Sequence, residues 1–487
     1  MLSFLFFLPV RALQLKPPFT AFSKSQSSRR LSSLWSSGEA KKAVIIGGGP
    51  SGYFSAITIA DKARQARYPV QVLILEASSK PLNKVLISGG GRCNLLPNTA
   101  LDVRSDILQA YPEGRGRKEL LSPMLSQISP GEILKWFNER GVETKVEADG
   151  RTFPITDDSR TVEQCLRKEA ERLNVKLRVR TLVKAVEKDG ESGEFTLRLK
   201  RKGAGDEGET TLKADILIMA TGSSRSGYDL ASSIGHDIVK PVPSLFTLSC
   251  EESNPGNILH GLAGVASQRV RMTIATNDKS ADVGLVGPVL VTHVGLSGPV
   301  ALKTSAYKAR VLHELNYKAK IVLDWAPTFS TVGEVVLALT KYKATNGRRG
   351  IRTSTPHAIS EAEVPKRLWV RIVDFAGVKE GKIWAEVSKK EISSISSLLK
   401  NFELKMVGKS TFKEEFVTSG GVSLKQLNMK SASSKTVPGL FFVGEMTNVD
   451  AITGGYNFLN CWTSGYCAGS AALDVLMDAD GGGGSLR

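Results

Sequence analysis

A glycine-rich segment that joins an apolar run to a helical pattern constrains the fold more than any other feature of the sequence. The apolar run AVII at 43–46 is typical of a buried parallel strand, and GGGPSG at 47–52 follows it directly. Gly47, Gly49 and Gly52 fill the GxGxxG pattern. In this pattern the first glycine permits a tight turn, the second lets a pyrophosphate approach, and the third lets the helix pack on the strand. The segment predicts a dinucleotide-binding α/β unit, with phosphates at the helix N-terminus.

A second apolar strand supports this prediction. Val70–Leu75 ends at Glu76, 24 residues after Gly52, where an acid accepts hydrogen bonds from ribose hydroxyls. The same GxGxxG spelling occurs at 203–208, but there charged residues precede it, two acids lie inside it and no helical pattern follows. That copy predicts a hairpin loop. Because an acid at position 76 disfavours a ribose 2′-phosphate, NADP is not expected at this site, and flavin and nicotinamide remain open on these residues.

The run KVLISGGGRCN at 84–94 adds further groups suited to a cofactor. Its three glycines remove side chains where backbone must approach a ligand, and Arg92 is a cation for a phosphate or for the electron-rich edge of a flavin. Cys93 has two interpretations. Its thiol, beside Arg92, has a lowered pKa and takes part in redox chemistry, or it serves packing. Packing is favoured because no second cysteine lies near it in sequence.

Motifs along most of the chain, from about residue 43 to 475, resemble the BaiN/YhiN-type NAD(P)/FAD-dependent oxidoreductase family. GGGRCN at 89–94 and GEMTNVDAITGGYN at 444–457 are the most specific of them. Two departures bear on the substrate: a shortened segment at 220–227, and NVDA at 448–451 in place of acid-valine-acid-glycine. The other agreeing segments are ILIMATG at 216–222, THVGLSGP at 292–299, VTSGGV at 417–422 and PGLFFVGE at 438–445.

The resemblance implies an α/β fold with a discontinuous Rossmann-like FAD-binding domain, an inserted β-rich, barrel-like domain and a small helical domain. Local patterns agree, because 269–276 alternates as a strand does while 332–342 and 391–400 have helical periodicity. The predicted FAD-binding domain comprises 43–240 and 412–478, the β-rich domain 241–326 and 401–411, the helical domain 327–400, the leader 1–42 and the flexible tail 479–487.

By the same resemblance the cofactor is FAD. Hydride or an electron pair passes through flavin N5 between a donor such as NAD(P)H, bound transiently, and a small organic substrate. Val183, in a predicted strand at 175–186, contacts the adenine through its backbone. The predicted cofactor-binding residues are Gly47, Gly49, Pro50, Ser51, Gly52, Glu76, Lys84, Gly90, Gly91, Arg92, Cys93, Asn94, Val183, Thr221, Gly222, Gly444, Glu445, Gly454, Gly455, Tyr456 and Asn457.

Cys93 and His293 are the candidate catalytic residues. His293, in THVGLSGP, is either an acid or base at the flavin face or a turn histidine whose ring bonds to backbone, and the second interpretation is favoured. The other four histidines form no HxxH or HxxxH group, so no metal site is expected.

The net charge of +17 comes from 65 Lys and Arg residues against 48 Asp and Glu. Residues 1–42 contain seven of the basic residues, one acid and nine serines, the composition of an organelle transit peptide. The plastid is favoured over the mitochondrion. A secretory or bipartite signal, suggested by the apolar residues 1–10, and a plain disordered leader are the alternatives. Five cysteines without a CxxC pair predict no disulfide framework.

The basic balance keeps one other class open, an RNA- or membrane-associated flavoprotein whose FAD is structural or regulatory. The basic run at 341–352 has Tyr342 as its one aromatic and is typical of a solvated loop rather than of a nucleic-acid groove. Charge-free stretches at 43–60, 283–302 and 451–473 are broken by glycine, proline or polar residues, so no transmembrane segment is predicted. The oligomeric state is left open.

Overall fold

The computed structural model describes residues 40–201, 209–275, 284–357, 359, 364–410 and 417–479. Three predictions therefore fall outside the described residues: the leader up to residue 39, the second GxGxxG at 203–208, and the tail beyond Ala479.

A seven-stranded sheet contains the first predicted strand in its interior, between two neighbouring strands. The strands on either side of it are parallel to it, and Ala43–Ile46 are buried, as apolar strands in parallel sheets are. At one end of the sheet the two short strands 427–428 and 433–434 pair in the antiparallel sense. In spatial order the strands are β19 (Leu427–Asn428), β20 (Ser433–Ser434), β21 (Leu440–Phe442), β10 (Ile216–Met219), β1 (Lys41–Ile46), β2 (Val70–Leu75) and β6 (Lys176–Arg178).

The predicted single strand at 175–186 is wrong in one respect, because the chain breaks it into two. Its first part is β6, while its second part is β7 (Thr181–Lys188), which belongs to a separate antiparallel sheet. Arg180 between them has a φ of 54° and donates its N–H to Ser78 O at 2.9 Å. This left-handed residue turns the chain out of the central sheet, so Val183 lies in the second sheet, paired with Leu199.

Helix α1 (Pro50–Ala66) packs against α12 (Tyr456–Ala479), which brings the two ends of the described chain together. A Cβ at Gly469 of α12 would lie 2.7 Å from Ser55 O of α1, so glycine permits the close approach of the backbones. The intervening helices are α2 (Asn83–Gly91), α3 (Leu121–Ser126), α4 (Pro130–Asn138), α5 (Arg160–Arg172), α6 (Arg225–Ser233), α7 (Pro299–Tyr307), α8 (Ala309–Glu314), α9 (Val332–Thr345), α10 (Lys366–Phe375) and α11 (Lys389–Lys400).

The inserted β-rich part is a closed six-stranded barrel, as the resemblance implied. Its alternating strand directs Val270, Met272 and Ile274 inward. Helices α9, α10 and α11 lie between the last two barrel strands in sequence, which confirms the helical patterns. In spatial order the strands are β12 (Leu248–Cys250), β15 (Gly295–Ser297), β14 (Leu285–Val291), β13 (Ala266–Ala275), β16 (Ala319–Asp324) and β17 (Phe402–Lys409).

Barrel and helices share one continuous hydrophobic core. Trp325 packs edge-on against Phe402 of the barrel, with ring centroids 5.7 Å apart, and Trp369 stacks on Trp384 at 6.1 Å. All three tryptophans are fully buried. The helices 332–400 therefore pack on the barrel rather than standing apart from it.

A small apolar cluster, here called the junction cluster, joins the barrel part to the nucleotide-binding part. It consists of Ala110, Leu245, Ala306, Val417 and Ile452, with Tyr456 against it. No helix among the described residues has the length and apolarity needed to cross a membrane. The remaining strands are β3 (Leu96–Pro97), β4 (Thr144–Val146) and β5 (Arg151–Pro154) in one sheet, β8 (Phe195–Arg201) and β9 (Glu209–Ala214) with β7, and β11 (Ile238–Ser244) paired with β18 (Val417–Val422).

Candidate functional site

Four parallel strands of the central sheet end in the segments that the sequence singled out. β1 leads into Gly47, β2 into Glu76, β10 into 220–222 and β21 into 443–445. The chain crosses from one side of β1 to the other between β2 and β10, which makes this a topological switch point. Open α/β sheets bind ligands in the crevice outside the carboxyl ends of strands at such a point.

The GxGxxG loop has two tightly packed glycines and one that faces open space. A Cβ at Gly47 would lie 2.3 Å from Ala220 O, and one at Gly52 would lie 2.1 Å from Gly47 O. A Cβ at Gly49 would meet nothing within 4 Å. No side chain caps the N-terminus of α1, where Gly49 is the N-cap and Pro50 begins the helix. The loop is thus packed against backbone at Gly47 and Gly52 and open at Gly49, as the prediction of a phosphate-binding loop requires.

Glu76 lies at the edge of this loop with both oxygens held by backbone. Its Oε2 accepts from the N–H of Gly48 at 2.7 Å, and its Oε1 accepts from the N–H of Ser78 at 2.7 Å. Each carboxylate oxygen accepts more than one hydrogen bond. The carboxylate is therefore oriented by the chain and keeps capacity for two hydroxyl donors.

The glycines of ISGGGRCN form a left-handed turn rather than a continuous helix. Gly89, Gly90 and Gly91 have φ values of 58°, 69° and 85°, which only glycine adopts freely. A Cβ at Gly90 or Gly91 would meet nothing within 4 Å. These two positions are open in the same way as Gly49.

Arg92 is engaged within the chain instead of facing open space. Its Nε donates to Asp157 Oδ1 at 2.8 Å, its Nη2 pairs with Glu147, and its guanidinium lies 4.1 Å from the ring centroid of Phe153. The hydrogen bonds that Arg92 donates to Glu147 and Asp157 raise the pKa of Arg92. Its contacts show a side chain that secures the turn to β5 and its neighbours.

Cys93 is fully buried, which agrees with the favoured packing interpretation and contradicts the alternative that required a lowered thiol pKa. Desolvation raises the pKa of Cys93 to about 12. Its neighbour Asn94 links the two ends of the chain, because Asn94 Oδ1 accepts from the N–H of Gly455 at 2.9 Å once its amide is oriented to satisfy both neighbours. Cys93 therefore contributes to packing, and Asn94 holds this loop against the loop that contains Gly455.

Lys84 and Glu445, far apart in sequence, form an ion pair beside Gly222. Lys84 Nζ also donates to Ser223 Oγ at 3.3 Å, and Glu445 Oε1 accepts from the N–H of Thr418 at 3.1 Å. A Cβ at Gly222 would lie 3.6 Å from Glu445 Oε2. Thr221 is turned inward, donating its hydroxyl to Met446 Sδ at 3.2 Å. The structure thus brings the run at 84–94 together with two of the strand-end segments, 220–222 and 443–445.

Helix α12 begins beside the same turn. A Cβ at Gly455 would lie 2.4 Å from Leu96 C, so no larger residue fits between the two loops. Burial raises the pKa of the Tyr456 phenol. Asn457 is used structurally: its amide donates to Ala451 O and accepts from Ala451 N, both at 3.0 Å. The N-terminus of α12 therefore lies next to the segment that follows the ISGGGRCN glycines, where Asn94 contacts Gly455.

His293 is exposed at the turn between β14 and β15 of the barrel. The Thr292 hydroxyl organises that turn, accepting from the N–H groups of Val294 and Gly295. Within the described residues, no hydrogen bond joins His293 to the strand ends of the central sheet. Its catalytic role stays a prediction.

A buried polar cluster was not among the predicted site residues. This junction polar cluster consists of Arg115, Arg310, Ser419, Asn448 and Asp450. Arg115 Nη1 donates to Asp450 Oδ2 at 2.9 Å and to Ser419 Oγ at 2.8 Å, and Arg310 Nη2 donates to Asn448 Oδ1 at 2.7 Å. Burial raises the pKa of Asp450 to about 6 and lowers that of Arg115. The one signal in the sequence was the departure at 448–451.

The parallel sheet and its strand ends define a Rossmann-type FAD-binding fold, and the protein is a flavin-dependent oxidoreductase. The chain belongs to the HI0933-like family, because the family described as "HI0933-like protein Rossmann domain" matches residues 41–471. The resemblance found in the sequence motifs is thereby confirmed.

Two curated proteins and one solved structure illustrate the likeness. A 3-dehydro-bile acid delta(4,6)-reductase from Clostridium scindens is 28% identical over 446 residues, which cover 88% of this chain and 98% of that protein. A ribosomal RNA dihydrouridine synthase from Escherichia coli is 27% identical over 438 residues, covering 88% and 96%. A flavocytochrome c3 fumarate reductase in its open conformation overlaps 94% of this chain and 82% of its own, with 14% identity and a TM-score of 0.48.

Proposed function

We propose that this flavoenzyme reduces a carbon–carbon double bond conjugated with a carbonyl group, using NAD(P)H as the electron donor. The open space at Gly49, Gly90 and Gly91, beside the carboxyl ends of the parallel strands, carries the proposal, since it suits a dinucleotide. The names of the two relatives support the reaction type: a reductase of delta(4,6) bonds in a 3-dehydro-bile acid, and a synthase of dihydrouridine.

The residues present fit FAD. Gly49 and the N-terminus of α1 would hold the pyrophosphate, and Glu76 would bind the adenosine ribose. Gly90 and Gly91 would leave room for the isoalloxazine ring. When bound there, FAD supplies hydride transfer to the substrate. The N-terminus of α12 places positive dipole beside the turn at 89–91, where negative charge on a reduced cofactor is stabilised.

NAD(P)H binds transiently in this proposal. The overall reaction balances: the double bond takes up one hydride and one proton, and the pyridine nucleotide is oxidised to NAD(P)+. The GxGxxG that follows β1 is already assigned to FAD. In this proposal NAD(P)H therefore binds on the open side of the crevice that holds FAD, and not at a second Rossmann site.

Uridine in a structured RNA is the substrate that the charge distribution favours. Residues 241–411, the part of the sequence that contains the described barrel strands and their helices, have 23 Lys and Arg against 14 Asp and Glu, a net +9. Lys341, Arg348, Arg349 and Lys366 of this part are exposed, so this proposal assigns to RNA phosphates a basic run that the sequence pattern alone favours as a solvated loop. An RNA needs such cations to neutralise its phosphates, whereas an uncharged small enone does not. Uracil carries its double bond in conjugation with a carbonyl.

A small-molecule enone is the second candidate, supported by the likeness to the bile acid reductase. It also agrees with the prediction of a small organic substrate. The net positive charge at 241–411 would then have no part in the reaction.

The experiment uses the full-length protein in three steps. Its visible spectrum is recorded, anaerobic bleaching by NADH and by NADPH is followed, and ribosomal RNA incubated with each donor is digested for nucleoside mass spectrometry. We expect a yellow protein, reduction by one pyridine nucleotide, and dihydrouridine at a discrete position. Reduced protein that is reoxidised by a small enone and leaves RNA unchanged would overturn the RNA assignment. A colourless protein that FAD cannot reconstitute would overturn the cofactor assignment.

A further inference from the structure

The outer wall of the barrel carries an open groove with a volume of about 470 Å³, here called the barrel groove. Strands β13 and β16 form its floor, and the loop after β16 and the end of α11 form its sides. Val270, Met272 and Ile274 point into the barrel, so the alternation of β13 directs Arg271 and Thr273 outward into the groove. The volume is in the range of pockets that hold small ligands.

The acid of the barrel groove is already neutralised, whereas its outermost cation is not. Asp324 is the register partner of Arg271 across β16 and β13, yet its carboxylate accepts from Lys400 Nζ at 2.6 Å and from the N–H of Ala326 at 3.0 Å. The exposed Arg271 side chain forms no hydrogen bond or ion pair with any residue of the described chain. The groove therefore presents an uncompensated positive charge, which favours an anionic partner.

Lys400 fixes the side of the groove. Its side chain is 8% exposed, and its ammonium group donates to Asp324 Oδ2, to Ala326 O at 3.2 Å and to Phe329 O. An ammonium group has three donors, so none is left for a ligand. These bonds hold the loop that bears Pro327 and Phe329 against the barrel, and the partly buried Phe329 lines the groove.

The other polar side chains of the groove are uncharged. Thr273, Ser330 and Asn401 line it, and within the described residues their side chains form no hydrogen bonds. A free guanidinium, an aromatic ring and neutral hydrogen-bonding groups thus surround one space. They match the phosphate, the base and the ribose hydroxyls of a nucleotide.

The barrel groove lies away from the cofactor site. In the closed barrel β13 is three strands from β12 in either direction, and β12 begins just after Leu245 of the junction cluster. The groove is therefore on the wall opposite the junction with the nucleotide-binding part. A nucleotide held there is a different one from the nucleotide that reacts at the flavin, and only a polymer spans both places.

We infer that the barrel groove is a docking site for one nucleotide in a single-stranded segment of the RNA substrate, with a phosphate at Arg271 and the base against Phe329. This inference rests on the proposed function, which supplies the RNA. Helix α9 begins just after the groove and carries the exposed Lys341, which extends the positive surface. A steroid-type enone has no phosphate for Arg271.

The test measures binding of a labelled oligouridylate to the full-length flavoprotein by fluorescence anisotropy at several salt concentrations. Arg271→Gln should weaken binding about tenfold and reduce the slope of the log–log salt dependence by about 0.7, the value for one phosphate contact of a single strand. Phe329→Leu keeps an apolar side chain in the loop but loses the stacking surface. It should weaken binding about tenfold with an unchanged salt slope.

The matched control is Arg269→Gln, which removes the same charge from an exposed position of the same strand, outside the groove. We expect it to bind the oligouridylate as the native protein does, and FAD content and circular dichroism establish that all variants are folded. Three results would overturn the docking site: a native protein that does not bind the oligouridylate, an Arg271→Gln variant with native affinity and slope, or an equal loss in Arg269→Gln.

The binding test separates this inference from the proposed function because it needs no turnover. If the variants lose affinity as expected and RNA gains no dihydrouridine, the reaction assignment fails and the docking site stands. If RNA gains dihydrouridine with the same KM in Arg271→Gln as in the native protein, the reaction stands and the docking site fails.

Discussion

Replacing Gly49 by alanine separates cofactor binding from folding at the GxGxxG loop. Gly49 has a φ of −84°, which alanine adopts without strain, and its new Cβ would meet nothing within 4 Å. The free protein should therefore tolerate Gly49→Ala. The pyrophosphate of FAD is proposed to occupy that open space, so the methyl group should collide with the bound cofactor.

The expected magnitude follows from the hydrogen bonds at stake. A hydrogen bond to a charged group contributes about 1.5–3 kcal/mol, and losing one to the pyrophosphate corresponds to about a 10- to 150-fold weaker affinity for FAD. Gly52→Ala is the matched contrast, because its Cβ would lie 2.1 Å from Gly47 O. That overpacking should cost about 1–3 kcal/mol of folding free energy even without cofactor.

The assay compares the two variants as apoprotein and with added FAD. Urea unfolding of the apoprotein should leave Gly49→Ala at the native midpoint and lower that of Gly52→Ala, while titration of flavin fluorescence reports affinity. A Gly49→Ala variant that binds FAD as tightly as the native protein would refute the reasoning, and so would a marked loss of apoprotein stability.

Three further outcomes are expected. Burial raises the pKa of Asp450 from 3.8 to about 6, so between these pH values the native state binds a proton that the unfolded chain does not. The free energy of unfolding of the native protein, measured by urea titration relative to that of Asp450→Asn, should therefore rise by about 2–3 kcal/mol as the pH falls from 8 to 4. A difference in unfolding free energy between the two proteins that does not change with pH would contradict this prediction. Cys93→Ser should leave stopped-flow flavin reduction unchanged, since the buried thiol has a pKa of about 12; a tenfold slower rate would return Cys93 to the mechanism. Replacing Arg348 and Arg349 by glutamine should weaken RNA binding and reduce the slope of its log–log salt dependence by about 0.7–0.9 per lost phosphate contact, whereas an unchanged slope would place the RNA elsewhere.

Local pattern was enough to predict the first strand, turn and helix of the nucleotide-binding part, and the second strand that ends at Glu76. The run AVII at 43–46 followed by GGGPSG predicts strand, tight turn and helix within a few residues, and the structure has β1, Gly47 and α1 there. The barrel and the helices at 332–400 required the resemblance to a known family, because alternating or helical periodicity shows an element without showing what it pairs with. The predicted strand at 175–186 failed for a related reason: one left-handed residue, Arg180, moves its second half into another sheet.

The sequence by itself therefore determined which residues form the strand-end loops, because glycine, proline and apolar runs act over a few neighbouring positions. Tertiary structure decided how the side chains are used. Arg92, adjacent to the open glycines in sequence, turns to Glu147 and Asp157, and Cys93 is buried. Arg115 and Asp450, 335 residues apart, meet in the interior, and no local pattern predicts such a pair. Burial and pairing depend on contacts between distant segments, and these exist only once the chain has folded.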